Sequence, residues 1–332
     1  MNIEKIKEVL EEHQGFRLKQ AEKNIYLDLI DDWQQSTVLP SNIKEELNKE
    51  CPISIEADLF SSKNKKTVKA VINLEDGLKI EAVLMKNRDG RNTICVSSQV
   101  GCSLGCKFCA TGKMGFKRNL TFSEIVEQVI FFARLLKKED EKITNIVFMG
   151  MGEPFLNYDN VLKAIRKLND KDGFNLGSRN FSISTAGVVE GIKKLSSEKL
   201  QVNLALSLHA PNNTIRSEIM PINKRYPLDN VLKAVDDYIE KTGRRVMFEY
   251  IMIKGVNDSN KEAEEIAKIV KGKLYFVNLI PYNSTGVFEA SSQERTASFR
   301  KILEERGVSV TQRFSFGKDI EGACGQLANK NK

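Results

Sequence analysis

Six strand–loop–helix repeats between Thr93 and Ile280 predict an α/β fold whose parallel sheet curls into a partial barrel of (β/α)6 type. Strand-length apolar runs recur at Thr93–Ser97, Ile143–Met149, Asn180–Ser184, Val202–Ser207, Arg245–Ile253 and Leu274–Ile280, with helical stretches between them. The clearest helix, over 122–136, sets Ile125, Val126, Val129, Ile130 and Ala133 on one face, and Thr121 and Glu124 before it have capping-box spacing. A closed eight-stranded barrel takes about 250 residues. The chain beyond Thr93 is too short for that, and fits six units with a terminal extension.

Two smaller parts precede the barrel. Residues 1–50 read as a helical domain: Ile3, Ile6, Val9 and Leu10 share a face, a second apolar pattern runs through Ile25, Leu27, Leu29 and Ile30, and Pro40-Ser41 opens a helix that runs through Leu47. Residues 51–90 read as a small β segment, with strands at Ile53–Ala57, Thr67–Ile72 and Leu78–Leu84 separated by Asn, Gly and Asp turns. The barrel and its C-terminal extension take 91–332.

Composition narrows the class. With 41% hydrophobic and 29% charged residues the chain is an ordinary globular one. No run of 18 apolar residues predicts a membrane span, and Met1–Ile6 lacks the basic-then-apolar order of a signal peptide. A cytoplasmic location is the expectation. The net charge of +7 fits a nucleic-acid partner and equally an ordinary basic enzyme; the excess lies in stretches such as Lys63–Lys66, Lys113–Arg118 and the Lys330/Lys332 tail.

Cytosolic thiols stay reduced, so the six cysteines do not read as a disulfide framework. Three of them, Cys102, Cys106 and Cys109, have the spacing C-x3-C-x2-C. Thiolates are the usual ligands of iron–sulfur clusters, and three of them leave one iron of a 4Fe–4S cluster open to a substrate. Structural zinc would want four ligands, and neither His13 nor His209 has finger spacing to this loop. With Phe108 before Cys109, the pattern resembles that of the radical S-adenosylmethionine (SAM) superfamily. The resemblance implies that the open iron chelates the amino and carboxylate groups of SAM, and that one electron then yields a 5′-deoxyadenosyl radical. Gly150 to Pro154 follows the second strand; alone it is a tight turn with a glutamate, and beside the cysteine loop it resembles the segment that meets the SAM ammonium.

Two further cysteines have a bland reading as small packed thiols. Ile94 and Val96 support that for Cys95, whereas the glycine-rich surroundings of Cys324 suit a close-packed loop. Cys51 reads as inert. The chain as a whole resembles the RlmN/Cfr family of radical SAM RNA adenosine methyltransferases, from Gly15–Gln20 to Ala323–Leu327. The motifs that carry this are Cys95–Cys102, Gly115–Leu120, Met149–Pro154, Ser207–Pro211, Met220–Asn223, Gly255–Asp258 and Asn278–Pro281.

That resemblance implies a radical SAM barrel and a use for both distant cysteines. One SAM methylates Cys324, and a second yields the radical that removes a hydrogen from the S-methyl group, so two are spent per turnover. The methylene radical adds to an adenine carbon, Cys95 removes the ring proton, and a Cys95–Cys324 disulfide releases the product. Gly152, Glu153, Ser184, Ser207, Leu208, His209 and Asn283 are implied SAM contacts, although a lone histidine at a strand end also reads as a packing residue. Glu81 aligns with a glutamate sometimes given as a proton acceptor; a solvated strand residue is the other reading. The implied partners are 23S ribosomal RNA, transfer RNA through an anticodon-loop adenosine, and an electron donor such as flavodoxin or ferredoxin.

Glu153-Pro154, Ala210-Pro211 and Pro281–Asn283 resemble the branch that methylates carbon 2. Arg313–Gly317 leans toward the carbon-8 branch, which confers antibiotic resistance, and Glu321-Gly322 departs from the usual Asp-Ala. A radical SAM enzyme with a non-RNA substrate and a non-catalytic RNA-binding protein with a structural metal are the remaining alternatives.

Overall fold

The computed structural model describes residues 1–328 except Arg88, Lys271, Lys273 and Phe314. Phe314 of the Arg313–Gly317 stretch and the Lys330/Lys332 tail therefore lie outside the described residues.

Twelve strands are present among these residues: β1 (Ala57–Ser61), β2 (Thr67–Asn73), β3 (Lys79–Lys86), β4 (Asn92–Cys95), β5 (Gln99–Gly101), β6 (Phe116–Asn119), β7 (Asn145–Phe148), β8 (Phe181–Thr185), β9 (Asn203–Ser207), β10 (Val246–Met252), β11 (Tyr275–Pro281) and β12 (Val310–Gln312). Ten form one sheet in the order β1-β2-β3-β4-β7-β8-β9-β10-β11-β12, and β5 pairs with β6 alone. Within the ten-stranded sheet the pairings from β4 through β7 to β12 are parallel and those among β1 to β4 antiparallel, and the separate β5–β6 pair is antiparallel. The six predicted barrel strands are β4 and β7–β11. The β segment before them joins the same sheet through the β3–β4 ladder, Val83 opposite Cys95.

A parallel sheet needs its faces covered, and its strands read as apolar runs because of that. Ile94, Ile146, Phe181, Ile183, Leu206, Phe248 and Val277 are fully buried. The helix Phe122–Lys137 seals one flank, with Ile125, Val126, Val129 and Ile130 fully buried at about 1.5–3 kcal/mol apiece. Its start is a capping box: Thr121 Oγ1 accepts from Glu124 N–H at 3.2 Å, and Glu124 accepts from Thr121 N–H at 2.8 Å. Thr121→Ala is expected to cost about 1 kcal/mol in a denaturant titration, with an unchanged m-value.

Arg134 on this helix ties down the N-terminal part by donating to the carbonyls of Ile30 and Ile53. Helices Ile3–Glu11, Phe16–Lys23 and Ser41–Glu50 pack there around Trp33, whose indole donates to Cys51 O at 2.9 Å. Cys51 is buried, and burial pushes its thiol up to about 11, in keeping with an inert role. Two local expectations fail. The Ile25–Ile30 pattern gives one π-helical turn, Asn24–Asp28, closed by Leu29 in the left-handed region, and Leu27 faces solvent. The first small strand begins at Ala57 instead of Ile53, because the pairing Ser61–Val68 sets its register from the far end while Ile53 enters the core under Arg134.

Candidate active site at the carboxyl ends of the strands

The cysteine loop is bracketed by the β5–β6 hairpin. Cys102 N–H donates to Gly115 O at 3.0 Å, Cys109 N–H to Cys106 O at 3.1 Å, and Lys107 N–H to Ile219 O at 3.0 Å. Burial pushes the Cys102 thiol up to about 12 and Cys106 well above the ordinary range, and the neighbouring thiols of the triplet push the same way. Three half-buried thiolates grouped on one loop would need cationic compensation, which iron would supply. Among the described residues no three His, Cys, Asp or Glu stand close enough to share one metal ion. The donor set, three cysteines on one short loop, fits the cluster.

The segment after β7 faces this loop. A Cβ on Gly150 would meet the Val96 backbone at 2.7 Å, and one on Gly152, at φ +100°, would meet Gln99 Cβ at 2.6 Å. Only glycine lets this turn lie so close to β4 and β5. The turn delivers Glu153, buried, with its carboxylate accepting from Phe155 N–H at 3.1 Å and Ala186 N–H at 2.7 Å. Burial outweighs those bonds and holds the carboxyl up at about 7.

Ser184 and Ser207, at the ends of β8 and β9, bring their hydroxyls within 3.4 Å. Leu208 and His209 follow, both buried, and their N–H groups share Glu249 O. His209 sits at φ +56°, a conformation costing about 1–3 kcal/mol, and is held by Asn257, which donates to its carbonyl at 2.8 Å. Its Nδ1 accepts from Ile251 N–H at 3.2 Å, so Nε2 carries the proton. Burial, helped by Arg216, pushes the imidazole down to about 3; it is neutral and lies edge-on to Phe108 of the cysteine loop. Asn283, after β11, donates to Cys324 O at 3.1 Å, while its buried Oδ1 has no partner among the described residues. An orphaned acceptor beside the cysteines suits a nitrogen-rich small ligand such as SAM.

The chain end closes over this rim. Gly325 O accepts from Ala110 N–H at 2.7 Å and Leu327 O from Thr111 Oγ1 at 2.6 Å, so the Cys324 loop is bonded to the two residues that follow Cys109. Cys324 is exposed in this loop, and desolvation by the protein around its thiol raises it to about 11. Cys95 is raised to about 12 by burial and then by Cys324 itself, which places the two thiols in one electrostatic neighbourhood; Arg313 opposes both shifts. Arg313 donates to Glu249 Oε1 at 3.0 Å, and Asn278 donates to Glu249 Oε2 at 2.9 Å.

Glu81 lies on β3 beside this group. Its carboxylate accepts from buried Lys69 at 3.2 Å and from Ala328 N–H at 3.0 Å, tying the chain end to the sheet. Arg216, Asn257, Glu249 and Arg313 went unassigned in the sequence. Asn257 and Asn223, a partner of Arg216, do sit inside the motifs Gly255–Asp258 and Met220–Asn223, which was the one available signal.

A parallel barrel carrying three thiols on the loop at its rim, with a glycine turn and a buried glutamate facing them, defines a radical SAM enzyme. A family model described as the Radical SAM superfamily matches residues 96–269. The chain is 44% identical over 330 residues to the "Probable dual-specificity RNA methyltransferase RlmN" of Dictyoglomus thermophilum, covering 98% of this chain and 94% of that one. It is 43% identical over 323 residues to the "Ribosomal RNA large subunit methyltransferase N" of Nitrosopumilus maritimus, covering 94% and 92%. The crystal structure of a radical SAM methyltransferase from Sphaerobacter thermophilus superposes with a TM-score of 0.94 at 43% identity, covering 98% of this chain and 97% of that one. The chain belongs to the radical SAM superfamily and, within it, to the RlmN family. No helix among the described residues is long and apolar enough to cross a membrane.

Proposed function

We propose that this enzyme methylates carbon 2 of an adenosine in 23S ribosomal RNA, and of an anticodon-loop adenosine in transfer RNA, through an S-methylcysteine on Cys324 that Cys95 resolves. The observation that carries this reading is the bonding of the Cys324 loop to Ala110 and Thr111, directly after Cys109, with Cys95 in the same neighbourhood. The names of the relatives supply the RNA substrate, and "dual-specificity" agrees with two RNA classes.

Cys102, Cys106 and Cys109 would hold a 4Fe–4S cluster, which with bound SAM would supply a methyl group and one-electron radical chemistry. Glu153 accepts hydrogen bonds from the SAM ammonium; Gly152, Ser184, Ser207, Leu208, His209 and Asn283 line the rest of its site. Cys324 Sγ takes the methyl group, loses a hydrogen from it, and carries the carbon to the base. Addition leaves an unpaired electron on the base; the adduct would return that electron to the oxidised cluster as Cys95 takes the ring proton. The Cys95 thiolate then attacks Cys324 Sγ, the sulfur–carbon bond breaks toward carbon, the carbon takes up a proton as the methyl group, and a disulfide is left. Two SAM are spent per turnover. In this scheme Glu81 holds Ala328 and leaves the proton to Cys95. The helical part, 1–50, provides an RNA-contacting domain; flavodoxin or ferredoxin supplies the electron, and the cytoplasm keeps both thiols reduced between turnovers.

Glu153→Gln removes a charge-assisted bond worth about 1.5–3 kcal/mol, so SAM affinity measured by equilibrium dialysis should fall roughly tenfold to a hundredfold. The deciding experiment supplies reconstituted enzyme with reductant, SAM and either unmodified RNA, followed by nucleoside mass spectrometry. The expected product is 2-methyladenosine. An 8-methyladenosine product moves the enzyme to the resistance branch, and neither product from a loaded enzyme sinks RNA methylation.

A further inference from the structure

Arg216 is a fully buried guanidinium on the helix Asn213–Ile219. Its Nε donates to Leu208 O at 3.2 Å, Nη1 to Asn223 Oδ1 at 2.8 Å, and Nη2 to Ala186 O at 2.6 Å and Ser207 O at 3.4 Å. Every one of these acceptors is neutral. Burial pulls the group down to about 10, which leaves it protonated at neutral pH. A buried cation without an anionic partner is expensive, and proteins keep one only where something compensates it. The segment that follows the Arg216 helix stands against the cysteine loop: a Cβ on Gly105, the residue before Cys106, would lie 4.0 Å from Pro221 Cγ, and Cys106 acts electrostatically on Arg216.

The two elements are also joined through the backbone. Ile219 O, at the end of the Arg216 helix, accepts from Lys107 N–H, the residue after Cys106. Ala186 bridges in the other direction, its carbonyl taking Arg216 and its N–H giving to Glu153.

We propose that Arg216 is the fixed counter-charge of the iron–sulfur cluster and sets how readily that cluster accepts an electron. The inference rests on reading Cys102, Cys106 and Cys109 as the cluster ligands. A 4Fe–4S cluster with three thiolates is net anionic, and the electron delivered by a low-potential donor makes it more so. Reduction potential follows net charge, hydrogen bonding and burial. A cation held in a low-dielectric wall favours the reduced state, and arginine suits the task because burial cannot deprotonate it as it can lysine.

The test is a redox titration of the anaerobically reconstituted full chain, without RNA, read by the electron paramagnetic resonance signal of the reduced cluster. Arg216→Gln should shift the midpoint negative by a tenfold or greater change in the equilibrium, 59 mV for a one-electron couple, and Arg216→Lys should recover part of that shift. A glutamine variant with wild-type iron content and midpoint overturns the proposal, as does a lysine variant no better than glutamine. If Arg216→Gln cannot hold iron, Asn223→Asp decides. It puts a carboxylate against Nη1 and should also shift the midpoint negative; an unchanged midpoint overturns the proposal. Failure of both variants to load makes Arg216 a builder of the loop and overturns it too. Absence of a cluster signal from the wild type would instead sink the cluster reading itself.

Discussion

Cys324→Ala is expected to bring methyladenosine down to the level of a reaction without enzyme, while iron content and fold stay as in the parent. The fold should survive because the loop is held by its backbone. Gly325 O, Leu327 O, Cys324 O and Ala328 N–H are each bonded to another part of the site, and none of these bonds involves the thiol. The side chain is exposed, so its loss opens no cavity, and such changes stay within about 0.5 kcal/mol. The chemical loss has no leak route. A ring carbon–hydrogen bond offers no lone pair to SAM, so without a sulfur carrier no slower polar transfer takes over. Circular dichroism, iron analysis and nucleoside mass spectrometry together make the check. A folded, loaded variant that still makes full product would put the methyl carrier elsewhere and return the enzyme to the class with no use for Cys324.

The barrel was legible because its strands carry recurrent buried apolar positions, nearly continuous in β10 and β11 and alternating in β4, β7 and β8, and because each run stops at a segment rich in Gly, Ser or Pro. The cluster loop was legible because its chemistry is written in spacing, eight consecutive residues that need no tertiary contact to be recognised. Cys95 and Cys324 are different. They are more than two hundred residues apart, and nothing in either local sequence names the other; resemblance alone paired them, and the fold sets Cys95 on β4 and Cys324 in the loop bonded to Ala110.

Arg216, Glu249 and Asn257 were beyond a linear reading for a further reason. Arg216 and Asn257 serve backbone groups elsewhere in the fold and Glu249 is held by the Asn278 and Arg313 side chains, whereas a charged residue on a short helix, as Arg216 is, ordinarily reads as solvated. Glu81 has the same character. On the sequence it is a glutamate in an alternating strand, and only the fold reveals Lys69 on one oxygen and the chain end on the other. The failures at Ile25 and Ile53 are local patterns overruled by packing, where burial of the apolar side chains outweighs the period they suggest.

Cys95→Ala should trap what Cys324→Ala never forms. Cys95 stands on β4 opposite Val83, half-buried, and trimming its thiol to a methyl group leaves the ladder to Val83 and Val147 intact. The carrier sulfur, the cluster cysteines and the SAM contacts are untouched, so carbon still passes to the base. Release is what fails. With no thiol to take the ring proton and attack Cys324 Sγ, the sulfur–carbon bond between protein and RNA persists. The expected result is RNA that migrates with the protein on a denaturing gel, resists thiol reductants as a thioether does, and after nuclease digestion leaves an adenosine mass on the Cys324 peptide. Free methyladenosine should fall at least a hundredfold in the same reaction. The double variant lacking both thiols should form no adduct, which separates a covalent intermediate from tight binding. Full turnover by Cys95→Ala without an adduct would assign the proton and the release to another group, and Arg313, held by Glu249 and acting on both thiols, is the first place the structure offers to look.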